Sequence, residues 1–218
     1  KEQVPKYVKE EAMENVSVGK STILVPSDRD GFMKLYLYNM NGQILRKVGD
    51  GNYDITAVYG YNEATGDVYY QSAALGATDR QVYVSHKNGK TQRLTDREGW
   101  NTALFSGDYQ YFINTWSDFN TPFVFTTRNR DGRVISTLED NKELRQIVKE
   151  AGFTKREPFS FTTSEGVTLN GWMVKPADFD ASRKYPVIMH QYSGPGSQQV
   201  TNSWNAGSLG QGGAFDYY

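Results

Sequence analysis

Residues 35–43, LYLYNMNGQ, set the pattern on which most of the chain is built. Two later stretches repeat it, residues 82–90 (VYVSHKNGK) and 123–133 (FVFTTRNRDGR), and each carries apolar residues into Asn-Gly or Asp-Gly. Both dipeptides are preferred at the centre of type I′ hairpin turns, in which both central residues take positive φ. The pattern therefore predicts a strand, a two-residue turn and a second strand, repeated along the chain.

The repeats recur at a nearly constant distance. Their turn glycines, Gly42, Gly89 and Gly132, are 47 and 43 residues apart. Four short strands in a period of about 45 residues are typical of a β-propeller blade. Two full blades are predicted, over about 50–95 and 97–138, with most of another before them. Three blades cannot close a ring of the usual four to eight. The other strands recur in step at residues 23–25, 55–61, 68–70, 100–105 and 111–113.

The blade period stops at Leu138, and a different architecture follows. Asp140 and Glu143 fit a capping box in which Asp140 is the N-cap, and Gly152 fits a C-terminal stop. A short linking helix is therefore predicted, followed by a hairpin that turns at Glu165-Gly166. The apolar residues between the two helix ends follow helical spacing: Leu144, Ile147, Val148 and Ala151.

The apolar run Val187-Ile188-Met189 leads into Tyr192 and the turn Gly194-Pro195-Gly196. A continuous apolar run is typical of a buried strand in a parallel sheet, and proline with two glycines ends such a strand. Tyr192 is therefore expected at the exit of a core strand, where α/β enzymes place catalytic groups. A tyrosine packed beneath the turn is an equally open alternative on this local pattern.

The composition excludes several classes of function. The 218-residue chain has a net charge of −1 and no Cys, so it offers no basic surface for nucleic acid, no disulfide and no zinc–thiolate site. No apolar run approaches the roughly 18 residues of a membrane span. His86 is expected to be solvated at its turn and His190 to pack on the predicted strand. These two histidines form no convincing metal site, and no cofactor is predicted.

The order of motifs in the last third of the chain resembles the start of the catalytic domain in the prolyl oligopeptidase family. Within that family it most resembles the dipeptidyl peptidase IV branch, in which a propeller leads directly into an α/β-hydrolase domain. The resemblance implies a mostly β fold: about three C-terminal propeller blades over 1–139, then a linking helix and the first strands of a truncated hydrolase domain over 140–218. The motifs are the Glu165-Gly166 hairpin, GWMVKP (171–176), KYPVI (184–188) and YSGP (192–195).

The resemblance implies a serine exopeptidase that releases N-terminal dipeptides, with Pro or Ala second, through an acyl-enzyme. In the family, the tyrosine of a Tyr-x-Gly-Pro motif donates its hydroxyl to the oxyanion, and Tyr192 matches it. The Ser, Asp and His of the triad are expected after the part of the sheet seen here, so the chain alone is expected to be inactive. Ser208, in AGSLG (206–210), nearly fits a nucleophile elbow but lacks the apolar strand before it.

The resemblance also implies partners and a location. It implies peptide substrates with a free N-terminus, a homodimeric parent protein, and export to the periplasm or cell surface. Two alternatives stay open at this point: a propeller fragment that binds without catalysis, and another peptidase of the same family with different specificity. An apolar strand ending in Gly-Trp-Ser-x-Gly-Gly further along the gene would favour the peptidase.

Overall fold

The computed structural model describes residues 16–192, Gly194 and residues 196–204. Three four-stranded antiparallel sheets follow one another within them, and each uses its strands in chain order, as the blades of a propeller do. The first blade contains β1 (Ser17–Val18), β2 (Thr22–Ser27), β3 (Lys34–Asn39) and β4 (Ile44–Val48). The second contains β5 (Ile55–Asn62), β6 (Asp67–Ser72), β7 (Gln81–Ser85) and β8 (Thr91–Arg93). The third contains β9 (Trp100–Phe105), β10 (Tyr111–Ser117), β11 (Val124–Asn129) and β12 (Val134–Glu139).

The first blade has all four strands, whereas the sequence predicted only most of it. Its β1 is two residues long, with Ser17 opposite Leu24 and Val18 opposite Ile23. Two residues are too few to produce a recognisable alternation of apolar and polar side chains. The sequence pattern therefore could not reveal this strand.

The hairpin between the last two strands of each blade turns over three residues, so the predicted two-residue type I′ turn is wrong. In the first blade, the Asn39 N–H donates to Gln43 O and the Gly42 N–H donates to Asn39 O, both at 3.0 Å. Gly42 has a φ of 78°, but Asn41 does not share its positive φ. This is a type I turn followed by a left-handed glycine. The Asn39 side-chain oxygen favours it by accepting from the N–H groups of Asn41 and Gln43, both at 3.0 Å.

The apolar core lies between neighbouring blades. Each cluster of buried side chains takes residues from two successive sheets, so each blade is stabilised chiefly by the blade beside it. The cluster between the first and second blades contains Leu24, Leu35, Leu37, Val48, Ile55, Val68, Tyr70 and Tyr83. The cluster between the second and third contains Tyr69, Val82, Val84, Leu94 and Phe112.

Polar contacts repeat between blades as well. Arg46 of β4 donates to the carbonyl of His86, in the turn of the second blade. Gln92 of β8 donates to the carbonyl of Asp131, in the turn of the third blade, at 3.1 Å. Arg46 and Gln92 each pair with a residue five positions before their own turn glycine, so they occupy equivalent places. The outer strand of one blade thus holds the turn of the next.

The architecture changes after β12, where the chain forms a helix. Helix α1 spans Lys142–Glu150, and the predicted capping box is wrong because Asn141, with φ 53°, is the N-cap and makes no side-chain cap bond. The Asn141 side chain instead donates to the Phe123 carbonyl at 2.6 Å, which ties the helix start to the third blade. Asp140 accepts from the N–H of Lys142 at 3.1 Å. The helix ends before Gly152, whose φ is 74°, as predicted.

The predicted hairpin follows the helix. Strands β13 (Arg156–Thr162) and β14 (Thr168–Val174) pair antiparallel, and Gly166 occupies the same left-handed turn position as the blade glycines. In residues 175–192, Gly194 and 196–204, no further strand is formed. None of the helices in the described part of the chain is long and apolar enough to span a membrane.

Candidate active site around Tyr192

Tyr192 lies in a segment without regular secondary structure, and the buried strand predicted before it is wrong for this structure. Val187, Ile188 and Met189 are 86%, 79% and 84% exposed, and no described strand pairs with them. A continuous apolar run becomes a parallel strand only where strands and helices cover both of its faces. The elements that the structure describes do not provide this cover. His190 is exposed too, so its predicted packing is also wrong.

The Tyr192 side chain is accessible and has a defined neighbour. It is 61% exposed. Its ring folds over Gly194, where an added Cβ would lie 2.8 Å from the phenol oxygen. Any other residue at position 194 would force the ring to move, because carbon and oxygen atoms do not approach this closely without a bond. The glycine of the motif therefore allows the tyrosine to occupy this place.

Residues 197–204, which we call the clasp segment, fasten this region to the propeller. The Gln198 side-chain oxygen accepts from Arg80 Nη2 at 2.5 Å. The Gln198 side-chain nitrogen donates to the Ala77 carbonyl at 2.6 Å. One amide therefore uses both its acceptor and its donor on the loop between β6 and β7 of the second blade.

A second anchor lies four residues further on. The Asn202 N–H donates to the Thr78 carbonyl at 2.9 Å, and its side-chain nitrogen donates to Asp79 Oδ1 at 3.0 Å. The Asn202 side-chain oxygen accepts from the N–H of Phe119 at 3.0 Å. Asn202 thus joins the second blade to the loop between β10 and β11 of the third.

The end of the clasp segment contacts the third blade and the hairpin. The Trp204 N–H donates to Ser117 Oγ at 3.1 Å. The Trp204 carbonyl accepts from Arg156 Nη1, at the start of β13, at 2.8 Å. The clasp segment therefore bonds to two blades and to the hairpin.

Arg80, like Arg156, is a buried cation that bonds to the clasp segment, and it is only 6% exposed. Its Nη1 donates to the carbonyls of Ala77 and Asp79 at 2.9 and 2.8 Å, and its guanidinium lies 4.5 Å from the centre of the Trp100 ring. Burial lowers the pKa of the Arg80 guanidinium, and the charges of Asp54 and Asp79 oppose that change. A buried cation is costly unless hydrogen bonds and rings surround it in this way.

A cleft of about 270 Å³ lies beside this contact. It is bounded by Arg80 from the second blade, Asn170 from β14 and Gln198 from the clasp segment. The contact between Arg80 and Gln198 therefore forms part of the cleft wall.

Sequence reasoning missed the residues of the clasp. Thr78-Asp79-Arg80 stands at the start of a buried strand, where charged residues are ordinarily solvated, so nothing in the pattern distinguished them. Gln198 and Asn202 lie in a polar, glycine-rich stretch without periodicity. The one available signal was the polarity of this stretch directly after the Tyr192 motif.

The other predicted residues lie elsewhere. The His86 side chain, predicted to be solvated, is 35% exposed, and its Nδ1 lies 3.1 Å from Asp67 Oδ1. Ser208 lies outside the described residues. Within the described ranges, no group of three or more His, Asp or Glu side chains could hold a metal ion.

Comparison with known proteins identifies the family. The sequence model of the dipeptidyl peptidase IV N-terminal region matches residues 1–123, more than half of the chain. The chain belongs to the dipeptidyl peptidase IV family. The resemblance read from the motifs is thereby confirmed, and the matched residues include the first two blades with β9 and β10 of the third.

Curated relatives agree with the family assignment. Dipeptidyl peptidase 4 of Trichophyton equinum is 30% identical to this chain over 192 residues, which are 86% of this chain and 25% of that protein. A probable dipeptidyl peptidase 4 of Aspergillus flavus is 27% identical over 183 residues, which are 83% of this chain and 24% of that protein. This family member thus spans about a quarter of the length of these relatives.

Solved structures of the family share the fold. The crystal structure of Porphyromonas gingivalis dipeptidyl peptidase 4 superposes with a TM-score of 0.88 at 39% identity, covering 92% of this chain and 29% of that one. A putative dipeptidyl aminopeptidase IV from Bacteroides ovatus gives a TM-score of 0.79 at 21% identity, with 95% and 32% covered. The second likeness concerns the fold alone.

Proposed function

We propose that this member of the dipeptidyl peptidase IV family forms part of a serine exopeptidase that releases dipeptides from free N-termini, with Pro or Ala second. The family membership supports a peptidase. The observation that carries the finer assignment is the position of Tyr192, an exposed phenol in a Tyr-x-Gly-Pro motif, on a segment fastened to the blades. In this proposal Tyr192 donates its hydroxyl to the oxyanion.

The role of Tyr192 follows from where charge appears in the reaction. A serine hydroxyl, which we place outside this chain together with its Asp and His partners, attacks the substrate carbonyl carbon and passes its proton to the histidine. The carbonyl oxygen gains the negative charge and accepts the Tyr192 O–H. When the carbonyl reforms, the C–N bond breaks, the histidine gives its proton to the leaving amine, and the acyl-enzyme remains for water to hydrolyse.

The geometry around Tyr192 suits a donor that works in the transition state. Its side chain is 61% exposed, and Gly194 leaves the space that its ring occupies. The clasp segment bonds to the second blade within six residues of Tyr192. A donor that is already in place stabilises the developing charge without reorganisation when the reaction occurs.

The first experiment is Tyr192→Phe in the full-length gene product that contains this chain. Phenylalanine keeps the ring over Gly194 and removes only the donor. We expect kcat to fall by about 10²–10³ with KM little changed, because the lost bond forms in the transition state. The measurement is hydrolysis of a Gly-Pro chromogenic substrate. Labelling of the serine by an organophosphonate should slow in parallel, since charge develops on oxygen there too.

The matched control is Tyr111→Phe, which removes an exposed tyrosine hydroxyl from β10 of the third blade. We expect it to leave kcat and KM unchanged. A Tyr192→Phe enzyme within about threefold of wild type would remove the assignment of Tyr192 to the oxyanion. A chain that gave no peptidase activity in its full-length form would favour a binding propeller instead.

By family membership we further propose that the parent protein is a homodimer exported to the periplasm or cell surface. The proposed boundary between the blades and the hydrolase part lies at residues 139 and 140. Sedimentation of the full-length protein tests the dimer, and cell fractionation tests the location. A monomeric or cytoplasmic protein would contradict the respective proposal.

A further inference from the structure

Hydrogen bonds join the second blade to the clasp segment. Gln198, six residues after Tyr192, exchanges two hydrogen bonds with the loop between β6 and β7. Asn202 makes two more bonds to the same loop. An apolar contact allows side chains to slide, whereas paired donors and acceptors fix one relative position.

Arg80 is built into the blade in a way that presents it to Gln198. Its Nη1 donates to the carbonyls of Ala77 and Asp79, and the face of its guanidinium lies on the Trp100 ring. These contacts leave Nη2 to donate to the Gln198 side chain at 2.5 Å. The blade thus orients a buried guanidinium whose side-chain acceptor belongs to the clasp segment.

Gln198 follows Tyr192 by six residues, and a turn links Gly194 to Ser197. The Ser197 N–H donates to the Gly194 carbonyl at 3.1 Å, and Gly196 adopts a φ of 77°. Gly194 itself contacts the Tyr192 ring. A displacement of Gln198 is therefore passed to the phenol through only a few residues.

We propose that Arg80 and Gln198 are positioning residues for Tyr192, through which the second propeller blade sets the place of the oxyanion donor. This inference rests on the proposed function. Arg80 does not touch the reacting atoms and acts through Gln198 and the turn at Gly194–Gly196. The second blade thereby contributes to the chemical step as well as to the walls of the cleft.

The test is a cycle of variants in the full-length gene product. Arg80→Met keeps a long side chain over Trp100 but cannot donate to Gln198. We expect kcat to fall about tenfold with KM little changed, because misplacing a catalytic group by a fraction of an ångström has an effect of this order. Gln198→Leu should lower kcat by a similar factor. In a Tyr192→Phe background, Arg80→Met should have almost no further effect, since the donor it positions is gone.

Rescue and local dynamics separate positioning from a general loss of stability. Arg80→Lys retains a cationic donor and should recover part of the lost kcat. Hydrogen exchange at the Asn202 amide should quicken in Arg80→Met, because the bond from the Asn202 N–H to the Thr78 carbonyl lies in the same group of contacts.

The matched control is Arg128→Met. Arg128 is equally buried and bonds to Asp96 in the loop after β8, and its hydrogen bonds go to Thr126, Gly132 and Asp96 and not to the clasp segment. It should lower the melting temperature and leave kcat unchanged.

The outcomes distinguish this inference from the proposed function. Tyr192→Phe alone tests the oxyanion assignment. An equal kcat loss from Arg80→Met in both backgrounds, or no loss in either, overturns the positioning role. An Asn202 amide that exchanges at the wild-type rate in Arg80→Met also overturns it.

Discussion

The blades and the clasp segment are held in place by different forces. Between blades, buried apolar side chains from adjacent sheets form continuous clusters. Around the clasp segment, the contacts are hydrogen bonds that Gln198, Asn202 and Trp204 form with two blades and with the hairpin. Apolar burial is strong and undirected, whereas hydrogen bonds contribute about 0.5–1.5 kcal/mol each but fix geometry.

The difference teaches where mutations should act. Substitutions between blades should change stability, and substitutions in the clasp should change the place of Tyr192 more than they change unfolding. The apolar run at residues 187–189 belongs to neither group, since it is apolar but exposed in this structure.

The largest expected effect is at the interface between the second and third blades. Phe112 is fully buried, and its ring centre lies 4.8 Å from that of Phe105. Phe112→Ala should lower the free energy of unfolding by about 3–5 kcal/mol, measured by urea unfolding of the full-length protein, because it leaves a cavity. Leu104→Ala, at an exposed position of β9, should cost less than about 0.5 kcal/mol. Equal costs would show that burial between blades is not what stabilises them.

A smaller effect is expected from Ile188→Ala, which tests whether the exposed apolar run at residues 187–189 becomes covered in the full-length protein. The run is continuous and apolar, so we expect further strands of the full-length protein to cover it. Ile188→Ala should then cost about 2–4 kcal/mol in urea unfolding of that protein, although Ile188 is exposed in this structure. A cost as small as that of Leu104→Ala would show that the run stays uncovered.

The smallest expected effect concerns an ion pair of the third blade and its dependence on pH. Asp96 lies 2.7 Å from Arg128 Nη2 and is largely exposed, whereas Arg128 is buried. Burial would raise the pKa of Asp96, but the hydrogen bond and charge of Arg128 outweigh it and hold the pKa below 3.8. The stabilisation is therefore complete above about pH 5 and is lost as the pH falls through that lowered value.

Asp96→Asn measures this contribution directly. It should cost about 0.5–1 kcal/mol at pH 7, since an exposed carboxylate is screened by solvent. Urea midpoints of wild type and variant should converge as the pH falls below 3.8. A difference that persisted at low pH would show that packing, and not the charge, is responsible.

The blades could be predicted from the sequence because their signals are local and repeated. Alternating apolar residues and a turn glycine every 43 or 47 residues locate the hairpins without any tertiary information. The type of turn could not be predicted, because Asn-Gly fits a two-residue and a three-residue turn. In the first blade the Asn39 side chain favours the three-residue turn by bonding to the turn's own N–H groups.

The sequence predicted one residue of the candidate site, but not the residues that support it. Tyr192 was found because it stands in a motif, but its supports were not. Arg80 and Gln198 are 118 residues apart, and each is an ordinary polar residue in its own surroundings. The helix start was missed for a similar reason, since Asn141 is held by the Phe123 carbonyl of the third blade. Contacts between distant segments leave no periodic trace in a sequence.

The bonds from each outer strand to the next blade's turn give the array a direction. Arg46 and Gln92 lie on the last strand of their blades, and their acceptors lie in the blade synthesised afterwards. A chain that emerges from the ribosome N-terminus first can therefore pack each new blade against a blade that is already complete. Growth in this order leaves the apolar face of only one blade uncovered at a time, which shortens the period in which that face is open to aggregation.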